Sequence, residues 1–192
     1  MRYPAEHKAE TRTRILDAAA PMFRKLGFSA VSVDKLMEKA DLTRGGFYAH
    51  FKSKDDLIEA ILSRNAGLVR MMDEREGKSS KTLNQEALKI LGDYLDPKNL
   101  DEIVEGCPMA TMPVDAARAS EKIRTAYGSR FRSLIEQLKR GLKRSRQSEE
   151  DAIAAAVLAV GGIIFARASA TSEEAAQIES ACLKHVARLL KT

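Results

Sequence analysis

The chain has no tryptophan, two cysteines and three histidines, and aromatic residues make up only 5% of it. Cys107 and Cys182 lie far apart, so neither a disulfide framework nor metal-ligand spacing is suggested. His7, His50 and His185 form no ligand cluster either, and no metal or cofactor is expected. No phosphate-cradling loop is present, and no histidine or acid is locally paired with Cys107, which argues against an enzyme. No apolar run reaches the ~20 residues that span a bilayer. The N-terminal stretch MRYPAEHKAETRTR lacks the apolar core of a signal peptide. A cytoplasmic protein with no membrane partner is the resulting expectation.

What the chain does contain favours helices: alanine, leucine, lysine, arginine and glutamate are abundant. Its 192 residues suffice for one domain or two small ones with a real core. The net charge of +5 is unevenly placed. Residues 1–54 hold 11 Lys/Arg against 6 Asp/Glu, whereas residues 55–192 hold 21 of each. The whole basic excess therefore sits on the N-terminal segment, as a phosphate-facing surface requires.

Within that segment, Val33, Leu36, Met37 and Ala40 recur at helical spacing, with Ser32 placed to cap the helix start. Asp41-Leu42 leaves room only for a tight turn. Thr43 stands ready to cap a second helix, with Phe47 and Phe51 one turn apart on its inner side. Two short helices joined by about three residues form a helix-turn-helix. The outward positions of the second helix are small or cationic, with one phenol, Tyr48. Gly45 and Gly46 cost roughly 1 kcal/mol each relative to alanine inside a helix. A helix without side chains can bring its backbone close to a large partner such as duplex DNA; the alternative is that the glycines simply form a loop.

The run Thr43 to Leu57, TRGGFYAHFKSKDDL, resembles the recognition helix and following helix start of tetracycline-repressor-like (TetR/AcrR) regulators. Ile15 to Val33, ILDAAAPMFRKLGFSAVSV, resembles the same family's first helix and connector. The resemblance covers about the first 60 residues; beyond them only size and helical content agree. It implies an all-α fold of about nine helices, with a helix-turn-helix DNA-binding domain over residues 1–53. A helical effector-binding and dimerisation domain would occupy residues 54–192. It further implies that Thr43, Tyr48, His50 and Lys54 contact phosphates and that Arg44, Gly45 and Gly46 face base edges, with Lys52 beside them. The chemistry agrees, since hydroxyls and ammonium groups suit phosphates and arginine pairs with guanine. His50 could equally be a packing residue.

Along the rest of the chain, a first helix is expected from Glu6 to Leu26, bent or interrupted by Pro21 and ended by Gly27. One long helix is expected from Lys54 to about Glu76, another from Leu83 to about Leu95, and a short turn at Leu100, Ile103 and Val104. Pro108 can start a further helix, which must also accommodate Pro113. Ser120 can cap a helix from Glu121 to about Leu142. Ser148 and the acids after it suit the start of an almost wholly apolar helix from Asp151 to about Ala168. The last helix, Ser172 to Leu190, carries Ala175, Ile178, Cys182, Val186 and Leu189 on one face. These two terminal helices resemble the family's dimer-forming pair, which points to Val157, Val160, Gly161, Ile164, Ile178, Cys182 and Val186; an intrachain core is the alternative.

The leading expectation is a homodimeric repressor that binds a double-stranded, palindromic DNA operator and is released by a small, largely hydrophobic effector. Tyr94, Ile103, Cys107, Met109, Met112, Tyr127, Phe131, Ile164, Phe165 and Arg167 could line its site, although most would serve as ordinary core. A redox or electrophile sensor acting through Cys107, in its Gly-Cys-Pro break, is the alternative. An architectural protein binding DNA without sequence preference is a further one.

Overall fold

The computed structural model describes residues 5–96, 106–142 and 145–190. Among them are eleven helices and no strand. The chain divides into two compact units. The first comprises Met1–Arg64 with Thr111–Tyr127, the second Asn65–Ala110 with Gly128–Thr192.

The first unit opens with α1 (Ala5–Ala30). Its backbone stays helical through Pro21, and the single departure is at Gly27, whose φ of 79° lies in the left-handed region. The expected interruption at Pro21 is thus absent, and the chain turns at the glycine, which adopts this conformation without a Cβ penalty. A side chain there would also meet Asp115, whose carboxylate lies 3.1 Å from the Cβ position and accepts from the Phe28 amide at 3.2 Å. Phe28 then folds back edge-on against Phe23, with ring centroids 5.7 Å apart.

Next come α2 (Val33–Lys39), α3 (Arg44–Phe47) and α4 (Lys54–Leu62). Ser32 and Ser53 cap α2 and α4 by accepting from the Lys35 and Asp56 amides. Thr43 occupies the cap position of α3, but its side chain makes no capping bond. The unit is completed from mid-chain by α8 (Pro113–Arg118) and the first residues of α9 (Glu121–Lys139). Phe23, Leu36, Met37, Phe47, Leu57 and Ile58 form one core with Met112, Ala116 and Ile123. Each large side chain buried in this way contributes about 1.5–3 kcal/mol.

The second unit holds α5 (Gly67–Asp73), α6 (Ser80–Tyr94), α7 (Pro108–Thr111) as far as Ala110, the rest of α9, α10 (Arg146–Ala168) and α11 (Ser172–Leu189). The single helix expected over Lys54 to Glu76 is two helices. The chain leaves α4 at Ser63 and re-enters helix at Gly67, whose φ is 56°. A Cβ on Gly67 would lie 3.1 Å from both Cα and Sγ of Cys107, so tertiary packing fixes this break. The stretch beginning at Pro108 is likewise split, with Pro113 taking the first position of α8, where its missing N–H is harmless. The cap of α10 is Ser145, which accepts from the Ser148 amide at 3.0 Å, rather than Ser148 itself. The expected turn at Leu100, Ile103 and Val104 falls outside the described residues.

Small residues let α10 and α11 pack closely. A Cβ on Gly162 would stand 3.0 Å from Cys182 Sγ and 3.2 Å from Leu95 Cδ2. Buried Arg75 donates to the carbonyls of Met72 and Leu83, at 2.9 Å each, and to that of Gln137. Burial pushes its guanidinium down to about 10.

Candidate nucleic-acid interface

The geometry of the first unit starts from the turn between α2 and α3. Asp41 adopts a φ of 54°, which its short polar side chain tolerates. Arg14 of α1 clamps the turn by donating to the carbonyls of Ala40 at 2.6 Å and Asp41 at 3.3 Å. With Phe47 and Phe51 buried beneath it, their centroids 5.7 Å apart, α3 presents its other side to solvent.

On that outer side Thr43, Arg44, Gly45, Tyr48 and Lys52 are exposed, while Gly46, His50 and Lys54 are half-buried. Arg44 pairs with Asp34 of α2 at 3.1 Å, and both partners are solvated, so the pair is weak and exchangeable. A Cβ added to Gly45 would meet no atom of the chain within 4 Å; one on Gly46 would make only ordinary contacts, at 3.7 Å to Met37 Cε and 3.9 Å to Thr43 Oγ1. Neither glycine is therefore required by packing inside the protein. Tyr48 stands edge-on to Phe47, with 59% of the residue exposed.

One expected phosphate partner has other engagements, and another is held in a partly buried setting. Lys54 Nζ donates to the carbonyls of Phe28 at 2.9 Å and Val31 at 3.3 Å, which ties the start of α4 to the connector after α1. An ammonium has three donors, so these bonds commit two of them. His50 has a buried Nδ1 with no hydrogen-bond partner. Burial, and then the nearby Lys8, Arg12 and His7, push its pKa down, which favours the neutral ring. This grouping of α1 cations around His50 was not read from the sequence, although Lys8 and Arg12 are spaced i, i+4 and so share a helix face. Arg12 also lies over the Phe51 ring, 4.8 Å from its centroid.

The candidate effector residues do not gather in one unit. Met112 and Tyr127 belong to the first, where Met112 is fully in the core. Tyr94, Cys107, Met109 and Phe131 belong to the second, and Ile103 lies outside the described residues. Phe165 lines no interior wall; 67% of it is exposed on α10. Cys107 is buried, and the sequence-distant Arg130 interacts electrostatically with it. Arg130 is itself buried, donates to the Ala66 carbonyl, and has its pKa pushed down mainly by desolvation.

Comparison with known proteins places this architecture. Residues 15–61 match the family described as "Bacterial regulatory proteins, tetR family". Residues 90–183 match "Transcriptional regulator LmrA/YxaF-like, C-terminal domain". The chain belongs to the tetR family of transcriptional regulators. This is a family of regulators rather than enzymes. Among relatives, the HTH-type transcriptional regulator SrpR of Pseudomonas putida is 40% identical over 62 residues, covering 32% of this chain and 29% of SrpR. The transposon Tn10 TetC protein of Escherichia coli is 32% identical over 128 residues, 64% of this chain and 61% of TetC. The chain thus spans less than two thirds of these relatives' own lengths. The fold is shared with E. coli NemR in its reduced form, with a TM-score of 0.75, 20% identity, and coverage of 92% of this chain and 95% of that one. A tetR-family regulator from Cytophaga hutchinsonii is similar at a TM-score of 0.72, with 20% identity and coverage of 97% and 98%.

The helices that would pair two such chains have mixed exposure. Val160 and Val186 are buried within the chain, and Ile164, Ile178 and Cys182 are half-buried. Ile153, Val157 and Phe165 are exposed at four- and eight-residue spacing on α10, with Gly161 between them. A Cβ on Gly161 would meet nothing within 4 Å. Among the described residues α10 is the one helix long and apolar enough to cross a bilayer, and 44% of its most apolar window is buried as core.

Proposed function

We propose that this tetR-family chain is a ligand-responsive, homodimeric repressor that binds a palindromic DNA operator through α2 and α3. Small, largely hydrophobic effectors release it. The observation that carries the reading is the bare outer face of α3: a glycine with no intrachain neighbour, flanked by Thr43, Arg44, Tyr48 and Lys52. Arg44 supplies base readout by exchanging Asp34 for guanine, while Thr43, Tyr48, His50 and Lys54 hold phosphates. Gly45 and Gly46 let the helix backbone approach base edges. The exposed Ile153, Val157 and Phe165 support α10 as part of the dimer interface.

Mobility-shift assays across salt test the DNA assignment. Tyr48→Phe and Lys54→Ala weaken binding to all sequences alike, and Lys54→Ala makes the salt slope shallower by about one. Arg44→Ala costs about 1–3 kcal/mol and relaxes sequence preference. Unchanged binding in all three variants removes the assignment.

A second reading, release by an oxidant or electrophile at Cys107, is favoured by the buried, sequence-distant Arg130, whose charge interacts with that thiol. Under it, Cys107→Ser binds operator normally yet ignores peroxide. Under effector binding, the variant keeps induction with shifted affinity. Operator release by peroxide that dithiothreitol reverses, and that Cys107→Ser lacks, decides for the thiol.

A further inference from the structure

Glu179 lies on the inward face of α11, in the series Ala175, Glu179, Cys182 and Val186. Only 4% of the residue is exposed, and neither carboxyl oxygen has a hydrogen-bond partner. Such a group loses its hydration and receives nothing in return. In the same unit the buried Arg75 guanidinium holds three carbonyls, and the Asn84 amide nitrogen donates to those of Gly141 and Leu190 at 2.9 Å each.

The neighbours define what would satisfy this carboxyl. One turn along α11, Cys182 Sγ packs against Gly162 of α10, and Leu95 at the end of α6 reaches the same glycine. These are apolar surroundings. The next residue after Leu95 is Asp96, and its negative charge adds to burial in pushing the Glu179 carboxyl up from the usual range. The buried charge of this carboxyl calls for a cation, and its unmet hydrogen bonds call for an N–H donor.

We propose that Glu179 is the polar anchor of the effector site and that the effector is a lipophilic amine in its protonated form. The proposal rests on the reading of the second unit as effector-binding. An ammonium supplies both the missing charge and the missing donor. A neutral alcohol supplies only a donor, and a carboxylate would add a like charge beside Glu179 and Asp96.

The test uses the full chain without DNA, so it reads amine binding whether or not an operator is bound. Octylamine, octan-1-ol and octanoate are compared by calorimetry and thermal unfolding at neutral pH. Octylamine should bind at least tenfold more tightly than octan-1-ol and raise the melting temperature, while octanoate does neither. Glu179→Gln keeps the side-chain shape and should erase the preference for amine over alcohol. Equal affinity for amine and alcohol in the wild type, no octylamine binding at millimolar concentration, or a preserved preference in Glu179→Gln would each overturn the proposal. If that variant fails to fold, the wild-type comparison decides: octylamine binding no tighter than octan-1-ol overturns the assignment.

Discussion

Replacing Gly45 by alanine should move stability and DNA affinity in opposite directions. The added methyl meets no atom of the chain within 4 Å, and Gly45 has no positive φ to strain. On the folding side only the gain remains: alanine loses less backbone entropy, which stabilises by about 0.4–1 kcal/mol. For a chain of this length that raises the melting temperature by about 1–4 °C. On the binding side the methyl occupies the space that the proposed complex gives to base edges. If it costs about 1.4 kcal/mol at each of two half-sites, operator affinity falls about a hundredfold. Differential scanning fluorimetry and operator titration at fixed salt provide both readings. Unchanged affinity would refute the idea that DNA approaches the backbone at Gly45, and a lower melting temperature would refute the open geometry. Gly162→Ala is the contrasting control. Its methyl would crowd Cys182 and Leu95 at 3.0–3.2 Å, destabilising by about 1–3 kcal/mol, without touching the α3 surface.

Gly161→Leu should leave the single chain able to fold, because the position is open within it, but should separate the proposed dimer at micromolar concentration; sedimentation showing an intact variant dimer would contradict the interface. Lys122 of α9 pairs with Asp56, and with Glu59 at 2.8 Å, both on α4, within the first unit. Asp56 is held below the usual carboxylate range chiefly by its hydrogen bond from Lys122, whose own pKa is raised by the same partners. A lowered acid contributes stability above its ordinary pKa and loses it as pH falls through the folded value; a raised lysine contributes below its ordinary pKa and loses it as pH rises through the folded one. Lys122→Met should therefore lower the melting temperature by a constant amount from about pH 6 to 9, with the difference vanishing toward pH 3. A difference that grows on acidification would refute this pairing.

Much of the helix-turn-helix was legible because its signals are local. Ser32, the spacing of Leu36 and Met37, and Phe47 with Phe51 each act within a turn or two of themselves. The features that escaped depend on distant chain. The break at Ser63–Ala66 is fixed by Gly67 packing on Cys107, a contact that helical spacing cannot announce, and Arg130 reaches that cysteine from another helix. For α10 the difficulty was of a different kind: a helix apolar on nearly every side does not declare which side faces inward. Phe165, a candidate for the effector wall, is exposed on α10, and Val160, a candidate for the partner surface, is buried within its own chain. Glu179 was overlooked because one acid on a helix ordinarily reads as surface; only its burial distinguishes it.

The core of the first unit draws Met112, Ala116 and Ile123 from the middle of the chain. A DNA-reading head cut off after Arg64 and grafted onto another regulator would leave that core open where these side chains belong. Under the proposed operator reading, exchange of specificity between relatives would therefore call for substitutions on the outer face of α3, or for a transplant that carries Thr111–Tyr127 along with the N-terminal piece. A head of this construction is inherited in two instalments, and neither is a portable module by itself.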